Sequence, residues 1–448
     1  MSYGSRTKVS MKSLTWSEIS THNNSKECWI VVDGIVYDMT DWIVAHPGGD
    51  ILTVLAGEDA SAMLHSYHLR DIVPMLEKFK IGKVLDYRPV FDAINDDFLT
   101  ALKWRVQRFF LDQDIDYRDT PTNRKNIFLT AILLFLCWGC MYFLPPWGLL
   151  ASIPMGLATC SLVGSFGHEQ IHGNLFKRTG KSGPFYHIQN NILWGLFIPF
   201  MPERYFQYEH IKHHLYPMNP KYDYDVFALR NLVRLSPDLK IRKYHSLQHL
   251  YAPLVYGAYI FLQLLAGYTT TFFDKRNLLK EKGVLPNIIC MSLVAFIFHI
   301  AIPIYLTNIW WVLLCAACYF FTWQAAIYIS SGVPHMTDAA AINEKSNSWA
   351  RHVCKTTKNL KCGNWFYDWL TGGLNYHLVH HLLPSIPREH LPKIRHIVEK
   401  TCNEFGHPYF TYASFGAYYR DHYNFLLQLG RPRTPVKVFS DRPLTGGS

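Results

Sequence analysis

Long apolar segments constrain this chain more than any other feature of its sequence. Residues 126–144 and 147–166 are predominantly apolar, and only Pro145 and Pro146 separate them. A helix needs about 20 apolar residues to cross the ~30 Å hydrocarbon layer of a membrane. A link of two residues is too short for anything but a helical hairpin. The two segments are therefore predicted to cross a membrane side by side.

Three histidine clusters follow or flank apolar segments. Histidines three or four positions apart share a helix face, so each cluster can direct two or three imidazoles at one point. Eight converging imidazoles suit a pair of borderline metal ions such as iron. A single HxxxH pattern is weak evidence and HExxH also occurs in zinc proteases, an alternative that spacing alone leaves open. The clusters, which together indicate one shared metal site, comprise His168 and His172, then His210, His213 and His214, and finally His377, His380 and His381.

One shared site requires all three clusters on the same side of the membrane. Three more apolar segments, 250–267, 286–306 and 309–331, lie between the second and third clusters, so one of them should not span. The basic loop 274–283 favours a cytosolic position by the positive-inside rule. We therefore expect the first of these segments to be re-entrant or interfacial and the other two to form a second hairpin, turning at residues 307–308. Four crossings with both termini cytosolic are predicted.

The composition agrees with a membrane protein. Hydrophobic residues make up 49% of the chain, while Lys and Arg outnumber Asp and Glu by 44 to 34. Basic surfaces beside anionic lipid headgroups explain that excess. The sequence has no interleaved basic and aromatic pattern, so no nucleic-acid partner is expected. Residues 1–20 are polar and lack the apolar core of a secretory signal, which indicates a cytosolic N-terminus.

The first 90 or so residues are polar and predict a small globular domain. Residues 29–38 indicate two strands around the Asp33-Gly34 turn. His46 opens an HPGG motif, and His68 follows it 22 positions later. Haem iron can take two axial imidazoles from opposite faces. The HPGG motif alone could also be an ordinary turn.

Residues 29–84 resemble the cytochrome b5 family, with the HPGG signature in place. The resemblance implies that His46 and His68 are the axial ligands of haem b. His65 is the competing candidate for the second ligand, and its distance from the preceding Gly-Glu-Asp-Ala stretch is less suitable. Two imidazole ligands would leave no open coordination position, so the expected role of the haem is electron transfer.

The histidine clusters and hairpins resemble the membrane fatty-acid desaturase family, and the fused haem domain resembles its front-end branch. Residues 222–225 and 368–376 carry further matching stretches. The resemblance covers the chain except for roughly its last 40 residues. It implies a di-iron centre that uses O2 to desaturate a long-chain, polyunsaturated acyl lipid. An NAD(P)H-dependent cytochrome b5 reductase would supply electrons, and the enzyme would be a multi-pass protein of the endoplasmic reticulum membrane.

Some residues leave alternatives open. Front-end desaturases usually have Gln where this chain has His377, which puts front-end regiochemistry in doubt. His335 follows the last predicted crossing, where the family tends to supply a further ligand. Asp223 and Asp225 either orient ligand imidazoles or form a solvated turn. His299 lies inside an apolar crossing and is expected to be a buried histidine with a satisfied hydrogen bond.

The sequence thus predicts an α+β cytochrome b5-like haem domain followed by an all-α integral membrane desaturase domain with four transmembrane helices. Two other functions remain as alternatives: a fatty-acyl or sphingolipid hydroxylase or sphingolipid desaturase on the same scaffold, and a non-enzymatic membrane-anchored haem protein that transfers electrons. The predicted segments are the haem domain at 12–88, a connector at 89–124, the desaturase domain at 125–430 and a flexible tail at 431–448.

Overall fold

The structure is a computed structural model that describes residues 11–175, 184–273, 284–338 and 346–431. The predictions for the basic loop 274–283 and for nearly all of the C-terminal tail fall outside these ranges.

A five-stranded sheet forms the base of the N-terminal domain, in the order β1-β5-β4-β3-β2. The predicted hairpin is confirmed, because Trp29 pairs with Asp38 across two antiparallel strands. Asp33 and Gly34 both have positive φ angles, 49° and 80°, as the tight turn between twisted strands requires. The strands are β1 Ser13–Leu14, β2 Asn23–Asn24, β3 Glu27–Val32, β4 Ile35–Asp38 and β5 Lys80–Val84.

Short helices pack against this sheet, with Ile19 of the first helix against Val31 and Val36 on one face and the others on the opposite face. Buried apolar side chains such as Ile30, Leu55 and Leu64 join the strands to the helices. The domain is therefore an α+β unit, as predicted. Its helices are Trp16–Ile19, Ser61–Tyr67 and Val73–Leu76, and its 3-10 turns are Thr40–Trp42, Gly49–Leu55 and Glu77–Phe79.

The connector contains a regular helix, Asp97–Asp112. Asp96 caps it by accepting a hydrogen bond from the Leu99 amide at 2.9 Å. The helix packs against Leu391–Glu404, where Arg105 and Glu404 form an ion pair at 2.6 Å. Packing along the helix attaches the connector firmly to the C-terminal part of the chain.

Within the described residues, five helices are long and apolar enough to cross a membrane, by length and composition alone. This is one more than the four predicted crossings. Both predicted hairpins are among them, with turns at the predicted places. The five helices are Pro121–Phe143, Trp147–Ile171, Lys243–Phe273, Val284–Leu306 and Ile309–His335.

The third of these helices, which includes Gln248–Phe273, differs from the others in its neighbours. Near its start Gln248 donates a hydrogen bond to the Leu426 carbonyl at 2.8 Å. Near its end, a Cβ atom built on Gly267 would lie 3.1 Å from the Tyr205 ring. Both neighbours belong to the layer that carries or flanks the histidine clusters. Along its middle, however, the helix packs against the fifth long helix: a Cβ atom on Gly257 would meet the Phe321 ring, and Gln324 donates a hydrogen bond to Gln263 at 3.4 Å. The re-entrant or interfacial position of this segment, which would leave an even number of crossings between the second and third clusters, stays a prediction.

Polar contacts join the two hairpins inside the apolar bundle. The Trp138 indole donates to the Phe298 carbonyl at 3.1 Å, and the Trp311 indole donates to the Met141 carbonyl at 2.8 Å. A Cβ atom on Gly156 would lie 2.8 Å from Thr322, so the second and fifth helices approach closely there. Small residues commonly allow such approaches between membrane helices.

The remaining helices form a layer over one end of the bundle. A continuous apolar core connects this layer with the haem domain and the connector, and includes Phe98, Ile211, Val379 and Ile394. The layer contains the helices Pro184–Phe197, Glu203–Leu215, Tyr224–Ala228, Trp349–Thr356, Trp365–Leu370, His377–Leu382, Leu391–Glu404 and Phe415–Leu429, with a parallel strand pair Asn359–Leu360 and Thr411–Tyr412.

Candidate metal and haem sites

Nine histidines meet between the helical bundle and the layer above it, and they form two neighbouring groups. In each group, one ring nitrogen from every member lies within 4.8 Å of the others. The groups are in direct contact, because the His214 and His381 rings stack with centroids 4.0 Å apart. The larger group comprises His168, His172, His210, His214 and His380, and the smaller group comprises His213, His335, His377 and His381.

Each HxxHH cluster contributes to both groups. His210 and His214 lie one helical turn apart, and their Nε2 atoms are 2.9 Å from each other in the larger group. Successive residues of a helix point about 100° apart, so His213 is directed into the smaller group instead. In the third cluster, His377 and His381 belong to the smaller group. Only His380 belongs to the larger group, where its Nε2 atom lies 3.0 Å from His214 Nε2.

A π-helical segment, Val163–His168, carries the first cluster out of the second long helix. Such segments shift the register of a helix and are frequent at functional sites. The His168 and His172 rings lie 4.5 Å apart, as expected for residues one turn apart.

His335 completes the smaller group, as its position after the last crossing suggested. A second π-helical segment, Tyr328–Gly332, precedes it. The Nε2 atom of His335 lies 3.0 Å from His213 Nε2 and 2.9 Å from His377 Nε2.

Hydrogen bonds on the outer ring nitrogens orient several of these imidazoles. His213 Nδ1 lies 3.1 Å from both carboxylate oxygens of Asp223, which is fully buried, and 3.6 Å from Asp225. His335 Nδ1–H donates to the Thr356 carbonyl at 3.0 Å. Partners of this kind typically hold metal-binding histidines in the correct tautomer. Of the two open interpretations, the geometry favours an orienting role for Asp223.

Three members of the larger group, His210, His214 and His380, are neutral imidazoles. Burial, reinforced by the neighbouring rings, lowers the pKa of His210, His214 and His380 well below the usual histidine range. Their nitrogen lone pairs are therefore available at neutral pH. His213 differs, because the carboxylates of Asp223 and Asp225 outweigh the effect of burial and raise its pKa to about 9.

The donor set fits a pair of metal ions. The Nε2 atoms of His168, His172 and His381 are buried and have no hydrogen-bond partner within the described part of the chain. Leaving such atoms unpaired costs free energy, which a bound cation would offset. Several Nε2 pairs lie 2.9–3.0 Å apart. Two imidazoles bound side by side to one ion take this separation when metal–nitrogen bonds are about 2.1 Å.

Glu169 does not serve as the general base that a zinc protease would need. Its carboxylate is buried and accepts a hydrogen bond from the Arg388 backbone amide at 3.1 Å. His168 and His172 are instead grouped with three further histidines. The arrangement therefore disfavours the zinc alternative.

The haem-domain histidines face each other across a cleft. The His46 and His68 ring centroids lie 6.3 Å apart. Two imidazole–metal bonds of about 2 Å each, together with the ring radii, would fill this gap. His68 Nδ1–H donates to the Leu64 carbonyl at 2.9 Å, which directs Nε2 away from the backbone. A Cβ atom on Gly48, the first glycine of the HPGG motif, would lie only 2.8 Å from the His46 ring, so a side chain at this position would displace that ring.

His65, the competing candidate, faces away from this cleft. Its Nε2–H donates to the Asp33 carboxylate at 2.8 Å. His65 and His68 therefore have separate roles, and His65 links the helix Ser61–Tyr67 to the β3–β4 turn.

Family comparisons agree with this architecture. A family model described as a fatty acid desaturase matches residues 145–413. The chain belongs to the fatty acid desaturase family. A second model, described as a cytochrome b5-like heme/steroid binding domain, matches residues 15–85. This desaturase is therefore an oxidoreductase that carries its own haem-binding domain.

Several relatives of this desaturase align with it over nearly the full length of both chains. An acyl-lipid (8-3)-desaturase of Physcomitrium patens is 27% identical over 96% of this chain and 94% of its own. Delta(5) fatty acid desaturase A of Dictyostelium discoideum is 27% identical over 96% of both chains. An acyl-lipid (8-3)-desaturase of Mortierella alpina is 26% identical over 94% of this chain and 98% of its own.

Outside the two groups, His299 donates a hydrogen bond to the Leu196 carbonyl at 3.1 Å, as expected for a satisfied buried histidine. Sequence reasoning missed one residue, Tyr67. Its hydroxyl lies 2.6 Å from His172 Nδ1 although it belongs to the haem domain. Only its position next to His68 could have drawn attention to it.

Proposed function

We propose that this desaturase inserts a double bond into a long-chain, polyunsaturated acyl lipid by O2-dependent front-end desaturation. The observation that carries the proposal is the pair of buried histidine groups beneath a docked haem domain. Relatives with the names (8-3)-desaturase and Delta(5) desaturase align with this chain over nearly its full length. A new bond at the Δ5 position is accordingly the first to test.

The proposed metal ligands are the nine histidines of the two groups. They would hold two iron ions, which supply the O2-derived oxidant needed to remove hydrogen from an unactivated carbon. Burial keeps the imidazoles of His210, His214 and His380 neutral, and Asp223 orients His213. A narrow apolar passage between the crossings would place one carbon–carbon bond beside the metals.

His46 and His68 are the proposed axial ligands of haem b, in a domain bounded by residues 12 and 88. The connector 89–124 and the membrane-bound desaturase domain 125–430 follow. An NAD(P)H-dependent cytochrome b5 reductase would reduce the haem. We propose the endoplasmic reticulum membrane as the location. Both termini and the histidine groups would be cytosolic, because Arg124 and Lys125 precede the first hairpin and Lys177, Arg178 and Lys181 follow it in the sequence.

His377 bears on the regiochemistry. Its Nε2 atom lies 2.9 Å from His335 Nε2, in the position where front-end desaturases usually have Gln. An imidazole ligates iron at least as well as an amide, so the metal centre tolerates this change. Front-end chemistry therefore rests on the relatives' names and the fused haem domain rather than on this residue.

Lipid profiling of a yeast strain that expresses the chain would test the proposal. The strain receives C18 and C20 polyunsaturated acids, and its acyl products are compared with those of the H380A variant and of an H396Q control on the exposed part of the Leu391–Glu404 helix. We expect a product two hydrogens lighter, with the new bond on the carboxyl side, from the wild type and H396Q only. A hydroxylated product, or a new bond on the methyl side, would overturn it.

A further inference from the structure

One hydrogen bond connects the haem domain directly with the histidine groups. Tyr67 is the last residue of the helix Ser61–Tyr67, and His68 follows it immediately. The Tyr67 hydroxyl lies 2.6 Å from His172 Nδ1, in a different domain and 105 positions away. The two rings lie 5.8 Å apart at a tilt of 30°.

The chemistry of His172 determines the direction of this bond. Its Nε2 atom faces the larger histidine group, is buried, and has no hydrogen-bond partner among the described residues. A neutral imidazole that offers the Nε2 lone pair to a metal carries its proton on Nδ1. The Nδ1–H group therefore donates to the Tyr67 hydroxyl oxygen.

Tyr67 thus has the place that Asp223 has for His213 and the Thr356 carbonyl has for His335. Both of those partners belong to the desaturase domain itself. Tyr67 does not, so the outer support of one candidate metal ligand is complete only when the haem domain is docked.

Other contacts hold the haem domain in this position. Glu58 pairs with Lys212, and Thr53 accepts a hydrogen bond from Arg204; both partners lie on the helix that carries the second histidine cluster. On the other side, Lys103 of the connector donates to the His65 carbonyl at 3.1 Å.

We propose that Tyr67 is a positioning residue that couples the two redox sites. Its hydroxyl fixes the tautomer and orientation of His172, and in the chain it directly precedes the proposed haem ligand His68. This inference rests on the proposed function. A single electron would pass from the reduced haem to the metal centre across this contact. The haem iron would be oxidised and an ion of the metal centre reduced, with no bond formed or broken.

The test compares the full-length wild type with Y67F, which loses only the hydroxyl. Y87F is the matched control, because the Tyr87 hydroxyl donates to Asp59 at 2.9 Å inside the haem domain. Two quantities are measured on purified enzyme: the rate at which a chelator removes non-haem iron, and the rate at which prereduced haem is reoxidised in the presence of acyl substrate and O2. The haem absorption spectrum reports whether the domain is folded.

Loss of an outer-shell partner typically costs 10–100-fold in metal affinity or activity. We expect Y67F to lose iron at least about tenfold faster and to reoxidise haem at least about tenfold more slowly, with an unchanged haem spectrum. Y87F should match the wild type in both rates. Wild-type iron retention in Y67F would overturn the proposal. Iron retention is measured without turnover. An inactive wild type would therefore count against the proposed function, while the comparison of iron loss between wild type and Y67F would still test the role of Tyr67.

Discussion

At the scale of single residues, neighbours in sequence can serve different sites. His65, Tyr67 and His68 lie within four positions, yet they contact the Asp33 carboxylate, the His172 imidazole and the haem cleft respectively. The helix ends at Tyr67, and His68 has an extended backbone with φ −110° and ψ 115°. This change of direction separates the three side chains.

The first prediction distinguishes the two histidines. H68A should remove the haem absorbance and slow turnover, because one axial imidazole is lost, while the non-haem iron content stays near that of the wild type. H65Q should retain haem, since its side chain can still reach Asp33. Absorbance spectra and iron analysis of the purified variants provide the measurement. Full haem absorbance in H68A, or its loss in H65Q, would contradict the ligand assignment.

At the scale of elements, two segments approach so closely that no side chain fits between them. A Cβ atom on Gly164, in the π-helical segment before His168, would lie 2.4 Å from the Thr371 carbonyl and 2.8 Å from Gly372 Cα. Gly372 has a φ angle of 60°, which favours glycine on its own account. The contact brings the first histidine cluster beside the segment that leads to the third.

The second prediction concerns this contact. G164A should push the segment at residues 371–373 away from the second long helix and disturb both histidine groups. Overpacking of this kind costs about 1–3 kcal/mol, or more where backbone must move. G139A is the control, because a Cβ atom there would meet only Phe143, at 4.0 Å. The thermal unfolding midpoint in detergent and the iron content should both fall for G164A and not for G139A. Equal midpoints for the two variants would refute the importance of this close contact.

At the scale of the whole molecule, opposite charges join the haem domain to the desaturase domain. Glu58 and Lys212 are 30% and 16% exposed, so water screens their attraction less than that of a surface pair. Tyr208 adds a 3.4 Å hydrogen bond to the same carboxylate. Docking in a defined orientation follows from this pair together with the shared apolar core.

A charge exchange tests this docking. K212E should slow haem reoxidation, because two carboxylates then face each other, and E58K should act likewise through two ammonium groups. The double variant E58K/K212E should recover most of the rate but not all of it, since the Tyr208 bond is lost. K12E, which breaks the exposed Lys12–Glu18 pair within the haem domain, serves as the control. A double variant slower than both single ones would argue against this pair.

The sequence predicted features that depend on local spacing and failed to predict those that depend on distant contacts. The β3–β4 hairpin and the grouping of histidines within each cluster follow from periods of two to four residues, and the two apolar hairpins follow from the lengths of the apolar segments and their short links. The division into groups of five and four depends on how separate helices cross, for which the sequence has no period. The Tyr67–His172 contact is of the same kind. Likewise, hydropathy alone marks five apolar helices and does not tell which of them cross.

The spread of the histidines along the chain has a consequence for biosynthesis. His168 and His381 are 213 positions apart (381 − 168), and translation at about 5–20 residues per second needs about 10–40 s to cover that distance. The haem domain, finished well before either, can fold while the ribosome is still working on the bundle. Membrane insertion of the first hairpin likewise precedes the final histidines. Both histidine groups can therefore be completed only after the haem domain and the first hairpin have been made, so a metal bound by them would be acquired late in maturation.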